Sequence, residues 1–135
     1  MRVFLTKWMA RFARREHISH ASLRDAIARA EQGLVDAGLG GGLVKQRVAR
    51  AGKGRSGGYR TIIAYRRAVR AVFLYGFAKS KRENIGPDEL QTAREIAAIW
   101  LSADARKIAL GLEEGELEEV IYGSETAEPS GAGAS

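Results

Sequence analysis

Residues 59–77 read Tyr-Arg-Thr-Ile-Ile-Ala-Tyr-Arg-Arg-Ala-Val-Arg-Ala-Val-Phe-Leu-Tyr-Gly-Phe. In the first part, Tyr59, Ile63 and Tyr65 lie against Arg60, Ile62 and Ala64, the two-sided pattern of a strand. From Arg70 to Phe77 almost every residue is apolar, as in a central strand. Only Arg67-Ala68-Val69 separates the two runs, which predicts a tight antiparallel hairpin.

Upstream, Leu43 to Arg50 sets Val44 and Val48 against Lys45 and Arg47, a third strand joined to the hairpin through the glycine-rich basic loop 51–58. The three strands form an antiparallel meander. Gly38 and Gly40-Gly41-Gly42 end all helical character before it. Further upstream, Ser19 or Ser22 caps a helix whose Leu23, Ala26, Ile27, Ala30 and Leu34 recur at spacings of three and four. Val3-Phe4-Leu5 is a short strand feeding a first helix from Lys7, with Trp8, Met9, Phe12 and Ala13 on one side and Arg11, Arg14 and Arg15 on the other. Downstream, Gly86-Pro87-Asp88-Glu89 opens a helix with proline near its first position and acids in its first turn. Its buried stripe is Leu90, Ala93, Ile96, Ala97, Trp100 and Leu101. A shorter helix over Asp104 to Leu112 and a last strand over Glu118 to Tyr122 complete the order. This is an α+β domain: an antiparallel β-meander sheet, two N-terminal helices and a C-terminal helical segment, with the helices packed on one face. Residues 1–125 read as a single domain. Residues 126–135, made of small residues and proline with little to bury, read as a disordered tail.

Charge is segregated along this chain. Between Asp36 and Glu83 lie 46 residues with twelve Lys or Arg and no carboxylate. Residues 1–36 hold seven cations against four acids, and residues 83–135 hold three against twelve. A basic centre that cannot pair its cations locally must take its negative charge from outside, and polyanionic phosphate is the natural source. Mutual neutralisation of the two halves is the alternative, but surface ion pairs contribute less than about 1 kcal/mol and do not require such segregation.

Several chemistries are excluded. There is no cysteine in the 135 residues, so disulfide scaffolds, thiolate metal sites and cysteine nucleophiles are ruled out. Lys53 sits among glycines, but Arg47 stands where a phosphate-binding loop needs its first glycine, and Gly54 follows Lys53 where Ser or Thr is required. His17 and His20 have a metal-like spacing with no obvious third ligand, so no metal site and no cofactor is expected. Charge interrupts the N-terminus too early for a secretory segment, and no apolar run reaches a membrane span. A soluble cytoplasmic protein is expected, with no membrane partner.

What remains is a cation cluster. Lys45 and Arg47 are two apart on one strand face, Arg60 opens the next strand, and Lys79, Lys81 and Arg82 follow the third. In an antiparallel meander these converge on one sheet face, with Arg50, Lys53 and Arg55 around the loop above it. Such a face holds a nucleic-acid backbone and stabilises the extra charge of a phosphorane transition state. Lysines that keep a sheet edge from aggregating are the plain structural alternative.

The runs Val44-Lys45-Gln46-Arg47-Val48, Ser56-Gly57-Gly58-Tyr59-Arg60 and Phe73-Leu74-Tyr75-Gly76-Phe77-Ala78-Lys79 resemble the RelE/HigB toxins of type II toxin-antitoxin modules, in the RelE/ParE superfamily. The resemblance spans residues 1 to about 112 and implies a RelE-like small domain. It implies a toxin that cleaves mRNA on the ribosome, an endoribonuclease or mRNA interferase that inhibits translation and arrests growth. The RNA's own 2'-hydroxyl would attack the adjacent phosphorus, without a metal. By this resemblance Arg60 takes the phosphate-stabilising role, Lys45, Arg47 and Lys79 complete the catalytic set, and Arg50, Lys53, Arg55, Lys81 and Arg82 bind RNA. The implied partners are a cognate antitoxin, the ribosome with mRNA and, through the antitoxin complex, operator DNA. The general base is unassigned: Tyr75 is the nearest candidate, and Tyr122 lies too far along the chain. Two alternatives stay open. One is a ParE-like toxin that inhibits gyrase without nuclease chemistry; the other is a basic nucleic-acid-binding module.

Overall fold

Six strands make one mostly antiparallel sheet in the computed structural model, which describes residues 1–49, 57–81 and 85–121. In chain order they are β1 (Arg2–Thr6), β2 (Ala37–Gly40), β3 (Leu43–Val48), β4 (Tyr59–Arg66), β5 (Arg70–Ala78) and β6 (Leu117–Glu119). Across the sheet the order is β2-β3-β4-β5-β1-β6. The meander β3-β4-β5 stands as the alternation predicts. β1 adds to it in parallel, with Val3 opposite Ala71 and Leu5 opposite Phe73, and β6 pairs antiparallel on the outside of β1.

Four helices cover the sheet: α1 (Lys7–Arg15), α2 (His20–Glu31), α3 (Pro87–Ser102) and α4 (Ala105–Glu113). They do not share one face. Met9, Phe12, Leu23, Ala26 and Ile27 of α1 and α2 pack on Val3, Leu5, Tyr59, Ile63 and Phe73. Ala93, Ala97, Trp100 and Ile108 of α3 and α4 pack on Phe4, Ile62, Ala64, Val72 and Leu74 from the opposite side. The expected one-faced layer is therefore corrected to helix–sheet–helix. The physical reason is in β4 and β5: Ile62, Ile63 and Ala64, and Ala71, Val72 and Phe73, are consecutive buried residues, so both faces of these strands need cover.

Helix ends follow local chemistry. Thr6, Ser19 and Asp104 accept hydrogen bonds from the third residue beyond them and cap α1, α2 and α4. Gly86 precedes Pro87 at the start of α3, and the Glu89 carboxylate accepts from the Gly86 N–H at 2.9 Å. α2 ends at Glu31, so Leu34 is not part of its buried stripe and stands 58% exposed. The glycines 40–42 do more than end a helix. All three have positive φ and turn a β2–β3 hairpin that propensity alone does not reveal, because β2 is Ala-Gly-Leu-Gly. A methyl group on Gly42 would lie 2.6 Å from Leu101 Cδ1, so the turn also needs the space.

Two buried polar residues join the layers. Gln46 donates from Nε2 to the carbonyls of Ala26 and Leu34 at 2.9 Å each and accepts from the Asp36 N–H, tying the end of α2 to β3. Thr61 donates to the Gln46 carbonyl at 2.7 Å. The final strand is shorter than expected and begins one residue earlier, and Tyr122 and the tail 126–135 lie outside the described residues. Among the described residues, no helix is long and apolar enough to cross a membrane.

Candidate functional site

Strand register brings the first cations together. Arg47 on β3 lies directly opposite Arg60 on β4, which lies opposite Phe77 on β5. Lys45 lies opposite Ile62, and Ile62 opposite Tyr75. Lys45, Arg47, Arg60, Tyr75 and Phe77 thus share the sheet face that carries α3, and the three cations are half-buried. The face is not wholly cationic, since Phe77 and Tyr75 interleave with the charges. A methyl group on Gly58 would lie 3.2 Å from Arg47 Nε, so glycine there leaves room for the Arg47 guanidinium against the backbone.

Like charges directly opposite on adjacent strands destabilise a sheet. The Arg60 guanidinium adds a second cost: among the described residues its Nη1 is buried and meets no hydrogen-bond acceptor. An unsatisfied buried donor costs about 1–3 kcal/mol, and more when charged. An anion with two acceptor oxygens, entering between Arg47 and Arg60, would remove both costs at once.

Lys79 and Lys81 stand in the turn after β5, both exposed. The Lys79 N–H donates to the Gly58 carbonyl at 3.3 Å, which fixes its backbone at the sheet end that holds Arg47 and Arg60. Arg50, Lys53, Arg55 and Arg82 lie outside the described residues.

Not every cation of the acid-free segment faces outward for an anion. Arg70 Nη1 donates to the carbonyls of Trp100 and Ala103 at 2.7 and 2.8 Å, and Arg66 Nη1 to that of Leu101 at 3.3 Å. These two arginines satisfy and neutralise the C-terminal end of α3. The acidic C-terminal segment turns elsewhere too: Glu119 pairs with Arg2 at 2.8 Å and Glu118 with Arg14 at 3.1 Å, on the opposite edge of the sheet. The Arg2 hydrogen bond, helped by its charge, holds the Glu119 carboxyl below the usual range despite partial burial.

Tyr59, next to Arg60 in sequence, points to the other face. It packs edge-on against Phe12 and donates to Glu16 Oε1 at 3.1 Å, so it is a core residue. Tyr75 is diagonal to Arg60 on the shared face and lines a groove of about 490 Å³ with Trp8, Leu74, Asp88 and Thr92. Trp8 is 46% exposed, stacked on Phe12 and edge-on to Tyr75. Sequence periodicity placed Trp8 on the same side of the first helix as Met9, Phe12 and Ala13. The missing signal was tertiary: the β1–β5 pairing ends at Leu5 and Phe73, so the start of α1 lies beside the far part of β5. His17 takes the left-handed conformation that terminates α1, and His20 Nδ1 accepts from the Ile121 N–H at 2.9 Å. Burial lowers the His20 pKa, opposed by nearby Glu118.

Over residues 1–120 the chain matches the family profile described as RelE toxin of RelE / RelB toxin-antitoxin system. The chain belongs to the RelE toxin family. The match runs from β1 through β6 and takes in every element that builds the cationic face. The RelE-family assignment makes the chain a toxin of a toxin-antitoxin system and implies an antitoxin as partner. A search of curated proteins found no match.

Proposed function

We propose that this toxin is a ribosome-dependent mRNA endonuclease, and that the Arg47–Arg60 pair receives the scissile phosphate. The observation that carries this reading is the buried Arg60 Nη1, which meets no acceptor among the described residues and belongs to an arginine directly opposite a second one. In the reaction the 2'-oxygen of the RNA bonds to the adjacent phosphorus while the bond from phosphorus to the 5'-oxygen breaks. The products are a 2',3'-cyclic phosphate and a 5'-hydroxyl. The nucleophile belongs to the substrate, so the protein's work is to align the 2'-oxygen and to stabilise the phosphorane charge as it develops. Arg60 and Arg47 offer planar donor forks for two phosphate oxygens, and Lys45 and Lys79 add positive charge. Arg50, Lys53, Arg55, Lys81 and Arg82 track the flanking backbone, a contact that weakens as salt rises. Tyr75 is diagonal to Arg60, but its hydroxyl is buried and would have to turn outward to exchange a proton with the 2'-hydroxyl or the leaving oxygen. Dependence on the 2'-hydroxyl restricts the substrate to RNA. The antitoxin inhibits by offering carboxylates to the same face or by blocking entry to the ribosome, and operator DNA is reached through the antitoxin complex.

Induced expression in cells, without antitoxin, tests this. Wild type should arrest growth, Arg60→Ala should relieve the arrest, and Arg60→Lys should restore it only in part. Undiminished arrest by Arg60→Ala removes the assignment.

A further inference from the structure

The groove beside the cationic face has a character of its own. Its lining joins the aromatic rings of Trp8 and Tyr75 to Asp88, Glu89 and Thr92 from the first turns of α3. About half of the Trp8 side chain is open to solvent, although an indole of this size is normally well covered. Phe12 stacks behind it at 5.5 Å between ring centres with 19° between the planes, and Tyr75 meets its edge at 75°. The indole is therefore held in a fixed orientation by other rings.

Tyr75 and Phe77 are two apart on β5, and Phe77 is opposite Arg60. Two residues of strand span about 6.7 Å, comparable to the reach from a phosphate to the base of its own nucleotide. The charges sort the parts of such a nucleotide. The carboxylates of Asp88 and Glu89 repel phosphate from the groove, while Arg47 and Arg60 attract it to the sheet end. A flat, uncharged ring with N–H donors on its edge suits the groove: it can lie against aromatic faces and donate to the Asp88 carboxylate or the Thr92 hydroxyl.

We infer that this groove takes the nucleobase next to the scissile phosphate, with Trp8 as its stacking platform and Asp88 selecting bases that carry an amino group over uracil. In this scheme Trp8 holds the base and Asp88 selects it, and both lie outside the set that neutralises the phosphate. The inference rests on the endonuclease reading above, and it extends that reading to the choice of cutting site. Stacking contributes about 1–3 kcal/mol per base whichever base it is, so removing the indole should lower cutting at every site by roughly tenfold, while the choice of base rests on Asp88.

The test maps cleavage sites across cellular mRNA after induction of wild type, Trp8→Ala, Trp8→Phe and Asp88→Asn, with each toxin also purified with its antitoxin and its thermal midpoint measured. Trp8→Ala should still cut, about tenfold less at every site, and Trp8→Phe should keep most of the wild-type cutting. Asp88→Asn should admit uracil at one position beside the cut. Unchanged cutting by well-folded Trp8→Ala, or unchanged site preference in well-folded Asp88→Asn, overturns the inference and leaves the endonuclease reading standing. Loss of antitoxin co-purification by Trp8→Ala with unchanged cutting also overturns it, and assigns the groove to the antitoxin. Absence of any cutting by wild type overturns the endonuclease reading, and the inference with it.

Discussion

Arg60 is costly to the free protein, half-buried, opposite Arg47 and with one nitrogen unsatisfied among the described residues. Arg60→Ala should therefore leave the unfolding midpoint in denaturant unchanged or raise it, while it lowers toxicity; a drop of several kcal/mol would mark the residue as structural. A second prediction at this scale concerns Ala68, which turns the β4–β5 hairpin with φ of 62°. An L-residue with a Cβ is strained there by roughly 1–2 kcal/mol, so Ala68→Gly should stabilise the fold, by about 1 kcal/mol after the entropy of glycine is counted. Equilibrium unfolding of the two proteins reads this directly. The opposed directions of Tyr59 and Arg60 were legible from alternation alone. The burial of Arg60 Nη1 was not, because it depends on strands 13 and 17 residues away in register at Arg47 and Phe77.

Elements are held to one another by polar contacts that hydrophobic patterning cannot show. Arg70 reads as one more cation of a basic segment, yet it anchors the end of α3 through two carbonyls. Arg70→Ala should cost about 2 kcal/mol, the range for hydrogen bonds to a charged group, with no direct effect on the proposed phosphate site. Denaturant titration checks the cost, and growth arrest at low temperature checks that the site survives. The junction of α2 with the hairpin is similar: Glu31 accepts from the Tyr65 hydroxyl and, at 3.1 Å, from the Ala68 N–H. These bonds hold the Glu31 carboxyl below its usual pKa, with the Tyr65 bond the largest cause. Its contribution is present above the carboxylate's unfolded pKa and lost as pH falls through the lower folded value. Burial first, then the same bond, push Tyr65 up from 10.0 to about 12. Folding favours the neutral phenol, so this contribution is complete below pH 10.0 and disappears as pH rises toward about 12. Tyr65→Phe should therefore flatten the loss of stability over that alkaline window, measured as unfolding midpoints against pH; identical slopes in the two proteins would contradict the assignment.

At the scale of the molecule, the meander and the helix stripe of α3 were legible because two strand-like runs, Tyr59 to Arg66 and the almost wholly apolar Arg70 to Phe77, flank a short turn, and Ala93, Ala97 and Trp100 recur at helical spacing. The two-sided arrangement was legible only in part. Runs such as Ile62-Ile63-Ala64 show that both faces are buried, but not which helix covers which. The parallel docking of β1, the glycine-built β2 and the extra Leu74 where the β4–β5 register shifts are long-range outcomes with no local period. Charge segregation marked the segment that carries the cationic face but not which of its cations share that face. Arg66 and Arg70 belong to the opposite end of the sheet, where they serve α3, whereas Lys45, Arg47 and Arg60 meet on one face and Lys79 joins their end of the sheet. The most direct measurement of the central claim is primer extension on cellular mRNA after induction of wild type and Arg60→Ala. The account predicts cuts within translated reading frames for wild type, ending in 2',3'-cyclic phosphates, and their loss in the variant. Intact mRNA during wild-type growth arrest, or the same cuts from Arg60→Ala, would contradict it.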